Sequence, residues 1–198
     1  MADYCTTAEV KALAGATLTT DDALIAVLIT RASAMIDRYT DRTFAERTET
    51  RYFTPGVDTT CDANGNDLLL TDEDLLSVTT LTNGDGEVIP PAGYLLYPLN
   101  RSPKYGVLLK SGYGWECSTA DAGTIIVAGS WGYCTAATRP ADVTQAAARL
   151  ALWLYRQREA PFNRIGNSIT GEYEVPTALP DDIKAMLKRY EKPVWGGV

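Results

Sequence analysis

Histidine is missing from this sequence of 198 residues. It is the commonest general base and metal ligand of proteins, so its absence excludes Ser-His and Cys-His catalysis. The four cysteines, Cys5, Cys61, Cys117 and Cys134, form no CxxC pair that would indicate a zinc site. We expect reduced thiols in a cytosolic product, with a Cys61–Cys117 disulfide as the less favoured alternative. No metal and no cofactor is predicted.

Long apolar runs and an excess of positive charge are also missing. The longest apolar run, Leu150 to Tyr155, is far shorter than the roughly 20 residues of a membrane helix, and the N-terminus lacks a basic, apolar leader. The 18 basic and 25 acidic residues give a net charge of −7, which argues against a protein that clamps a phosphate backbone. We therefore expect a soluble protein, made in the cytosol, that contacts no membrane and does not bind DNA strongly.

The N-terminal end carries two helix patterns. Thr6 and Glu9 have the spacing of a capping box, which predicts a short helix that Gly15 ends. A second helix, Asp22 to Tyr39, follows with Asp21 as its N-cap. Its apolar residues recur at three- and four-residue steps and form one stripe, namely Leu24, Ile25, Leu28, Ile29, Ala32, Met35, Ile36 and Tyr39.

Residues 48–138 differ in composition from the chain ends. They are rich in Thr, Val, Tyr and Gly, and turn signals interrupt them repeatedly. They predict strands at Glu49–Phe53, Asp67–Leu70, Leu76–Thr82, Glu87–Ile89, Tyr94–Tyr97, Gly106–Lys110 and Thr124–Tyr133. The Asn83-Gly84-Asp85-Gly86 segment predicts a hairpin with a primed turn, because asparagine and glycine tolerate positive φ.

Helical patterns return near the C-terminus. One helix begins at Pro140 and runs to about Glu159, and it is apolar nearly all round. Such a helix must be covered on more than one side, by its own core or by a partner subunit. Residues 163–177 are expected to form a loop with a small hairpin around Gly171, and a last short helix begins at Pro180.

These patterns predict the α+β class, because 45% hydrophobic residues suffice for a core while each helix alone buries little. We expect both chain ends to form a small, discontinuous helical bundle of residues 1–47 and 139–192. An antiparallel, β-rich insertion occupies residues 48–138, and residues 193–198 form a C-terminal docking tail.

Two acidic motifs suggest chemistry, and a structural interpretation is favoured for each. Asp62, Asn64, Asn66 and Glu73 match positions 1, 3, 5 and 12 of a calcium loop, but position 6 is Asp67 instead of glycine and strands flank it. An Asn-Gly turn with solvated acidic sides explains the motif better. The triplet Asp72-Glu73-Asp74 resembles paired catalytic carboxylates, but neighbouring strand residues point apart, so we expect a solvated rim.

Positive charge and one tryptophan mark the C-terminal end as a contact surface. Residues 139–198 hold nine basic and seven acidic residues, against nine and 18 in residues 1–138. Two interpretations remain open for the basic residues near the end of the chain. Their charges either pair with acidic groups of another protein or only complement a helix dipole, and these residues are Lys188, Arg189 and Lys192. Trp195 has no core obvious from the sequence, which suggests a docking anchor.

Several segments resemble a known family when taken in order along the chain. They are Ile36-Asp37-Arg38-Tyr39-Thr40-Asp41-Arg42-Thr43-Phe44, Glu49-Thr50-Arg51-Tyr52-Phe53, Gly129-Ser130-Trp131-Gly132-Tyr133, and Pro140-Ala141-Asp142 before a helix ending Leu154-Tyr155-Arg156. Together they resemble the head-tail connector (adaptor) family of tailed double-stranded DNA bacteriophages.

The resemblance implies a structural virion protein of the neck, assembled in the host cytoplasm. It implies a dodecameric ring beneath the portal protein, with a stopper or tail-completion protein below and DNA passing through the lumen without specific binding. In such rings the C-terminal segment grips the portal, which fits portal docking by Pro193, Val194, Trp195, Lys188, Arg189 and Lys192. The helix that is apolar on two sides places Leu152, Trp153, Tyr155 and Arg156 at the interface between subunits.

Two other classes of function remain as alternatives. A DNA-binding packaging module similar to a small terminase subunit would need a basic recognition helix, whereas Asp22–Tyr39 holds two arginines and two aspartates. A hydrolase on the β segment is the least favoured, because no convergent catalytic site is visible.

Overall fold

The computed structural model describes residues 2–15, 21–116, 124–157, 164–167, 171–174 and 179–192. The chain forms two compact units, one of Met1–Arg42 with Arg139–Val198 and the other of Thr43–Thr138. We call the first the helical unit and the second the β unit. Both chain ends supply helices and the middle supplies an antiparallel sheet, which confirms the predicted α+β class. Within the described ranges, no helix has the length and apolar character needed to cross a membrane.

Among its described residues, the helical unit contains four α-helices. They are α1 (Thr7–Ala14), α2 (Asp22–Thr40), α3 (Ala141–Gln157) and α4 (Asp181–Leu187), and a 3-10 turn at Lys188–Tyr190 continues α4. The predicted capping box is confirmed, since the Glu9 backbone N–H donates to Thr6 Oγ1 at 3.2 Å and the Thr6 N–H donates to Glu9 Oε2 at 2.7 Å. Gly15 ends α1 in the left-handed conformation, with φ 64°.

Helix α3 packs against the three other helices, so it forms the centre of this unit. The N-terminal segment adds to the same core, because Tyr4 is 1% exposed and its N–H donates to Ser33 Oγ of α2 at 3.0 Å. Two details of α2 differ from the prediction. Leu24, expected on the buried stripe, is 36% exposed. The Asp21 carboxylate caps no helix N–H and instead accepts a hydrogen bond from the Tyr155 hydroxyl.

The described part of the β unit forms one antiparallel sheet. Its strands are β1 (Arg47–Phe53), β2 (Thr59–Cys61), β3 (Asp67–Thr82), β4 (Val88–Ile89), β5 (Tyr94–Tyr97), β6 (Lys104–Leu109) and β7 (Ile125–Trp131). The strand order is β1-β7-β3-β6-β5, and β2 and β4 also pair with β3. In the helical unit, β8 (Arg164–Asn167) and β9 (Gly171–Glu174) form an antiparallel pair, which confirms the small hairpin predicted around Gly171.

The long central strand differs from the prediction. Residues 67–70 and 76–82 were expected as separate strands, but β3 runs through both for 16 residues. Its register with β6 shifts between Leu70 and Leu75, where the acidic triplet lies. The triplet is therefore a local irregularity of β3. The strand continues through it because the neighbouring strands pair with β3. Strand β2 was not predicted because three residues are too few to show an alternating pattern.

The hairpin between β3 and β4 is confirmed, with Leu81 opposite Ile89. Its turn is not the primed type. Within residues 83–86 only Gly86 has a positive φ, 90°, and its N–H donates to the Asn83 carbonyl at 2.9 Å. One left-handed glycine after an ordinary turn is the pattern of a three-residue hairpin loop.

The core of the β unit surrounds Trp131, which is fully buried. Phe53 lies beside it with ring centroids 6.1 Å apart, and the indole Nε1–H donates to the Glu49 carbonyl at 3.1 Å. Gly129 lets β3 and β7 approach closely, because a Cβ there would lie 2.2 Å from the Ser77 carbonyl oxygen.

Candidate functional site

The side of α3 that its own unit does not fully cover forms a groove, which we call the α3 groove. Its volume is about 430 Å³, and its walls include Leu13 of α1, Arg149, Leu152, Trp153 and Arg156 of α3, and Asp182 of α4. Leu152 and Trp153 are half-buried, and Leu13 is 46% exposed. Apolar side chains thus remain partly open to solvent along one helix.

The charges of the α3 groove are unequal. Arg149 and Asp182 form an ion pair that joins α3 to α4 across the groove wall. Arg156 is exposed and forms no ion pair with any described residue. The α3 groove therefore combines an apolar surface with the exposed guanidinium group of Arg156, which suits an apolar segment carrying a carboxylate.

Three of the four residues predicted at a subunit interface line this groove, namely Leu152, Trp153 and Arg156. The fourth, Tyr155, is 8% exposed, and its hydroxyl donates to the Asp21 carboxylate. It lies about 100° from Arg156 around the helix and is buried within its own unit. Leu13 and Asp182 complete the groove but come from distant parts of the sequence.

The basic residues predicted for docking lie at the end of α4 and after it. Lys188 is exposed, while Arg189 Nη1 lies 3.4 Å from Asp142 Oδ2 and its Cζ lies 5.1 Å from the Tyr190 ring centroid. The Lys192 N–H donates to the Thr40 carbonyl at 2.9 Å, which fixes the last described residue to the end of α2. Pro193, Val194 and Trp195 lie outside the described residues.

A second surface feature is the β3–β4 hairpin, which we call the acidic hairpin and define as Asn83–Val88. Asp85 and Glu87 are exposed, and Val88 is 61% exposed. Beside it, the exposed Glu116 adds a third carboxylate. The acidic hairpin thus presents carboxylates and an open apolar side chain together.

The acidic hairpin is braced by a buried amide. Asn83 is 6% exposed, its Nδ2 donates to the Gly114 carbonyl at 3.0 Å, and its Oδ1 accepts from the N–H groups of Gly84 and Glu116 at 2.9 and 3.1 Å. These bonds hold the turn in one conformation although its tip is exposed. A fixed conformation lowers the entropy cost of docking.

The exposed side chain of Val88 continues into a row across the sheet. Thr82 is opposite Val88, Ile126 is opposite Thr82, and Tyr52 is opposite Ile126. Directly paired residues of antiparallel strands share a face, so these four form one uncharged band. Tyr52, at the end of this band, is 65% exposed.

The candidate calcium loop is a hairpin turn. Asp62 Oδ1 accepts from the N–H groups of Asn64 and Asn66, both at 2.8 Å, and Asn66 Nδ2 donates to the same carboxylate. These bonds, first those from Asn66, hold the pKa of Asp62 below its usual range. The described residues contain no cluster of three or more acidic or cysteine side chains arranged to hold a metal ion.

The acidic triplet is not a purely solvated rim, and that prediction was wrong. Arg51 Nη1 lies 2.8 Å from Asp72 Oδ1, and its Nη2 lies 3.1 Å from Glu73 Oε1. Asp74 is 4% exposed. Burial acts to lower the pKa of Arg51, but hydrogen bonds to Asp72, Glu49 and Glu73 outweigh it and raise that pKa. The carboxylates therefore have a structural role.

Among the described residues, no disulfide joins Cys5, Cys61 or Cys134. Cys5 and Cys134 are buried and Cys61 is exposed. Cys117 lies outside the described residues.

Comparison with known proteins bears on the whole chain. A family described as HCP, head completion protein, matches residues 3–192. No curated protein matches the sequence. Among solved structures, the neck of an empty GTA particle computed with C6 symmetry has a chain with TM-score 0.59 and 20% identity, covering 96% of this chain and 91% of that chain.

Two further structures have a similar fold. A chain in the neck of a native GTA particle computed with C12 symmetry has TM-score 0.52 and 16% identity, covering 89% of this chain and 86% of that chain. A chain in the virion of a native gene transfer agent (GTA) particle has TM-score 0.54 and 16% identity, covering 91% and 83%. The fold is thus one that virion neck proteins use.

Proposed function

The chain belongs to the head completion protein family, and from that premise we propose that it forms a dodecameric adaptor ring in the neck of a phage-like particle. The ring joins the portal protein to a stopper or tail-completion protein and surrounds the channel through which DNA passes. The family match over residues 3–192 carries this proposal. Membership of this structural, non-enzymatic family also confirms the resemblance found in the sequence and makes the hydrolase alternative wrong.

The fold agrees with a ring subunit. The similar chains include one in a neck computed with C12 symmetry, which supports twelve copies here. A closed ring requires two different surfaces on each copy, one that meets the preceding copy and one that meets the next. The helical unit and the β unit each carry one exposed candidate surface, the α3 groove and the acidic hairpin.

The charge distribution supports a channel that does not retain DNA. The β unit has five basic and twelve acidic residues, a net charge of −7, while the helical unit has 13 of each. All of the net charge of the chain is therefore in the β unit. An acidic protein repels phosphates, so DNA passes without being held. The small-terminase alternative requires the opposite charge.

Portal docking is assigned to the C-terminal end, with Pro193, Val194 and Trp195 as the apolar anchor and Lys188, Arg189 and Lys192 as the basic surroundings. Lys188 is exposed and Arg189 is largely exposed at the end of the helical unit. A tryptophan anchor beside cationic side chains is a common arrangement at binding hot spots.

Deletion of Pro193–Val198 tests this assignment. We expect the truncated protein to keep the circular dichroism spectrum of the full chain and to lose co-sedimentation with portal rings. Trp195→Phe, which keeps an aromatic anchor, serves as the matched control and should retain most of the binding. Full co-sedimentation of the truncated protein would refute portal docking by this segment.

A further inference from the structure

We propose that the α3 groove of one copy receives the acidic hairpin of the neighbouring copy, and that this contact closes the ring. The inference rests on the proposed function, because it requires copies of the chain to associate.

The α3 groove has the composition of a binding hot spot. Trp153 and Leu152 are half-buried at its surface, and Arg156 is exposed without an ion-pair partner among the described residues. Tryptophan and arginine are enriched where protein interfaces gain most of their energy. An occupant that buries the indole and the leucine must also satisfy the guanidinium group, so it needs both an apolar and an acidic side chain.

The acidic hairpin supplies that combination within a few residues. Val88 is 61% exposed next to Glu87, and Asp85 is exposed at the tip. Asn83 braces the turn through three hydrogen bonds, so the hairpin docks without losing much conformational freedom.

Charge complementarity identifies a second copy of this chain as the occupant. The β unit carries the whole net charge of −7 and the helical unit is neutral, so contacts between two β units are repulsive and contacts between unlike units are not. Both surfaces belong to every copy and differ from each other. Each copy therefore gives one hairpin and receives another, which is the heterologous contact that generates rings.

Disulfide trapping between two different chains tests the contact. In a Cys61→Ser background, one chain carries Trp153→Cys and a second, tagged chain carries Val88→Cys. Mixed with portal rings and mildly oxidised, they should give an inter-chain disulfide that neither chain gives alone. The matched control carries Val57→Cys instead of Val88→Cys. Val57 belongs to the same β unit and is 78% exposed, so this chain should give no inter-chain disulfide.

Charge reversal provides a second readout that does not depend on cysteine. Arg156→Glu and Glu87→Arg each change an exposed side chain, so both variants should fold. Each single reversal is expected to weaken self-association at least about tenfold, and the double variant to restore it to within about threefold of the original chain. Equal weakening in the double variant contradicts pairing of these two residues.

The outcomes separate this contact from the proposed function. One outcome is that rings form on the portal although the two introduced cysteines form no disulfide and the double charge variant does not restore association. In that case the contact between groove and hairpin is wrong, and the proposed ring stands. A disulfide from the Trp153→Cys chain to the portal protein also overturns it, since the groove then takes another partner. If no association of copies is detected with or without portal, both the contact and the ring are wrong.

Discussion

The guanidinium group of Arg51 lies over the ring of Trp131, with Cζ 4.8 Å from the ring centroid. The same group binds the carboxylates of Glu49, Asp72 and Glu73. One side chain on β1 thus covers the largest core residue and neutralises the irregular part of β3. This relationship explains why an acidic triplet can interrupt a strand without ending it.

Arg51→Met is therefore expected to destabilise the protein. The substitution keeps an unbranched apolar stem but removes the guanidinium group over Trp131 and its ion pair with Asp72, while Arg47 still pairs with Glu49 and Glu73, so we expect a cost of about 1–2 kcal/mol. Urea unfolding measures this loss. Arg101→Met, at an exposed position of the same unit, is the control and should change stability by less than about 0.5 kcal/mol. Equal stability of the two variants contradicts the role given to Arg51.

Gly129→Ala should disrupt the sheet. The added methyl group would lie 2.2 Å from the Ser77 backbone oxygen, so β3 and β7 must separate. We expect a loss of at least about 2 kcal/mol or a failure to fold, because backbone cannot yield as a flexible side chain does. At Gly114 a Cβ meets only ordinary contact, 3.5 Å from Asp67 Oδ2, so Gly114→Ala should unfold at nearly the temperature of the original chain.

The thiols should differ in reactivity. Burial, with the nearby charges of Glu9 and Asp3, raises the pKa of Cys5 from 9.0 to about 12, so this thiol stays protonated near pH 8. Cys61 is exposed and should be alkylated before Cys5 and Cys134, which mass spectrometry of peptides after brief iodoacetamide treatment measures. Rapid labelling of Cys5 in the folded protein contradicts its buried position.

The raised pKa of Cys5 also links stability to pH. A thiol whose pKa is higher in the folded state contributes stability fully below its unfolded value, and loses that contribution as pH rises from 9.0 toward about 12. Cys5→Ala should therefore flatten the decline of the unfolding free energy between pH 9 and 11. An unchanged decline shows that Cys5 does not cause it.

Duplex DNA should not bind the isolated chain at physiological salt. With a net charge of −7, the chain as a whole repels the phosphate backbone of DNA. A filter-binding assay tests this expectation, and a submicromolar affinity contradicts a channel wall that lets DNA pass. Lowering the salt concentration should not produce steep binding either.

Local signals made the helices predictable. The capping box of Thr6 and Glu9 and the spacing of apolar residues in α2 involve only near neighbours in sequence. The sheet was less predictable, because β3 is held together by pairing with β6 and β7, which lie far along the chain. From its near neighbours in sequence alone, the acidic triplet was interpreted as a gap between two strands.

The candidate contact surface was predicted only in part for the same reason. Helix α3 is apolar nearly all round, so its sequence indicates that two sides are covered but not which side its own unit covers. The positions of α1, α2 and α4 decide this, and they bury Tyr155 while leaving Leu152 and Trp153 partly open. The bracing of the acidic hairpin by Asn83 also depends on the distant Gly114 and Glu116.

Electron microscopy of the purified protein mixed with the portal rings of its own particle tests the proposed ring. We expect class averages in which a closed collar of twelve copies lies on one end of each portal. The proposed ring is contradicted if the images show bare portals and separate single copies at protein concentrations well above those found during assembly.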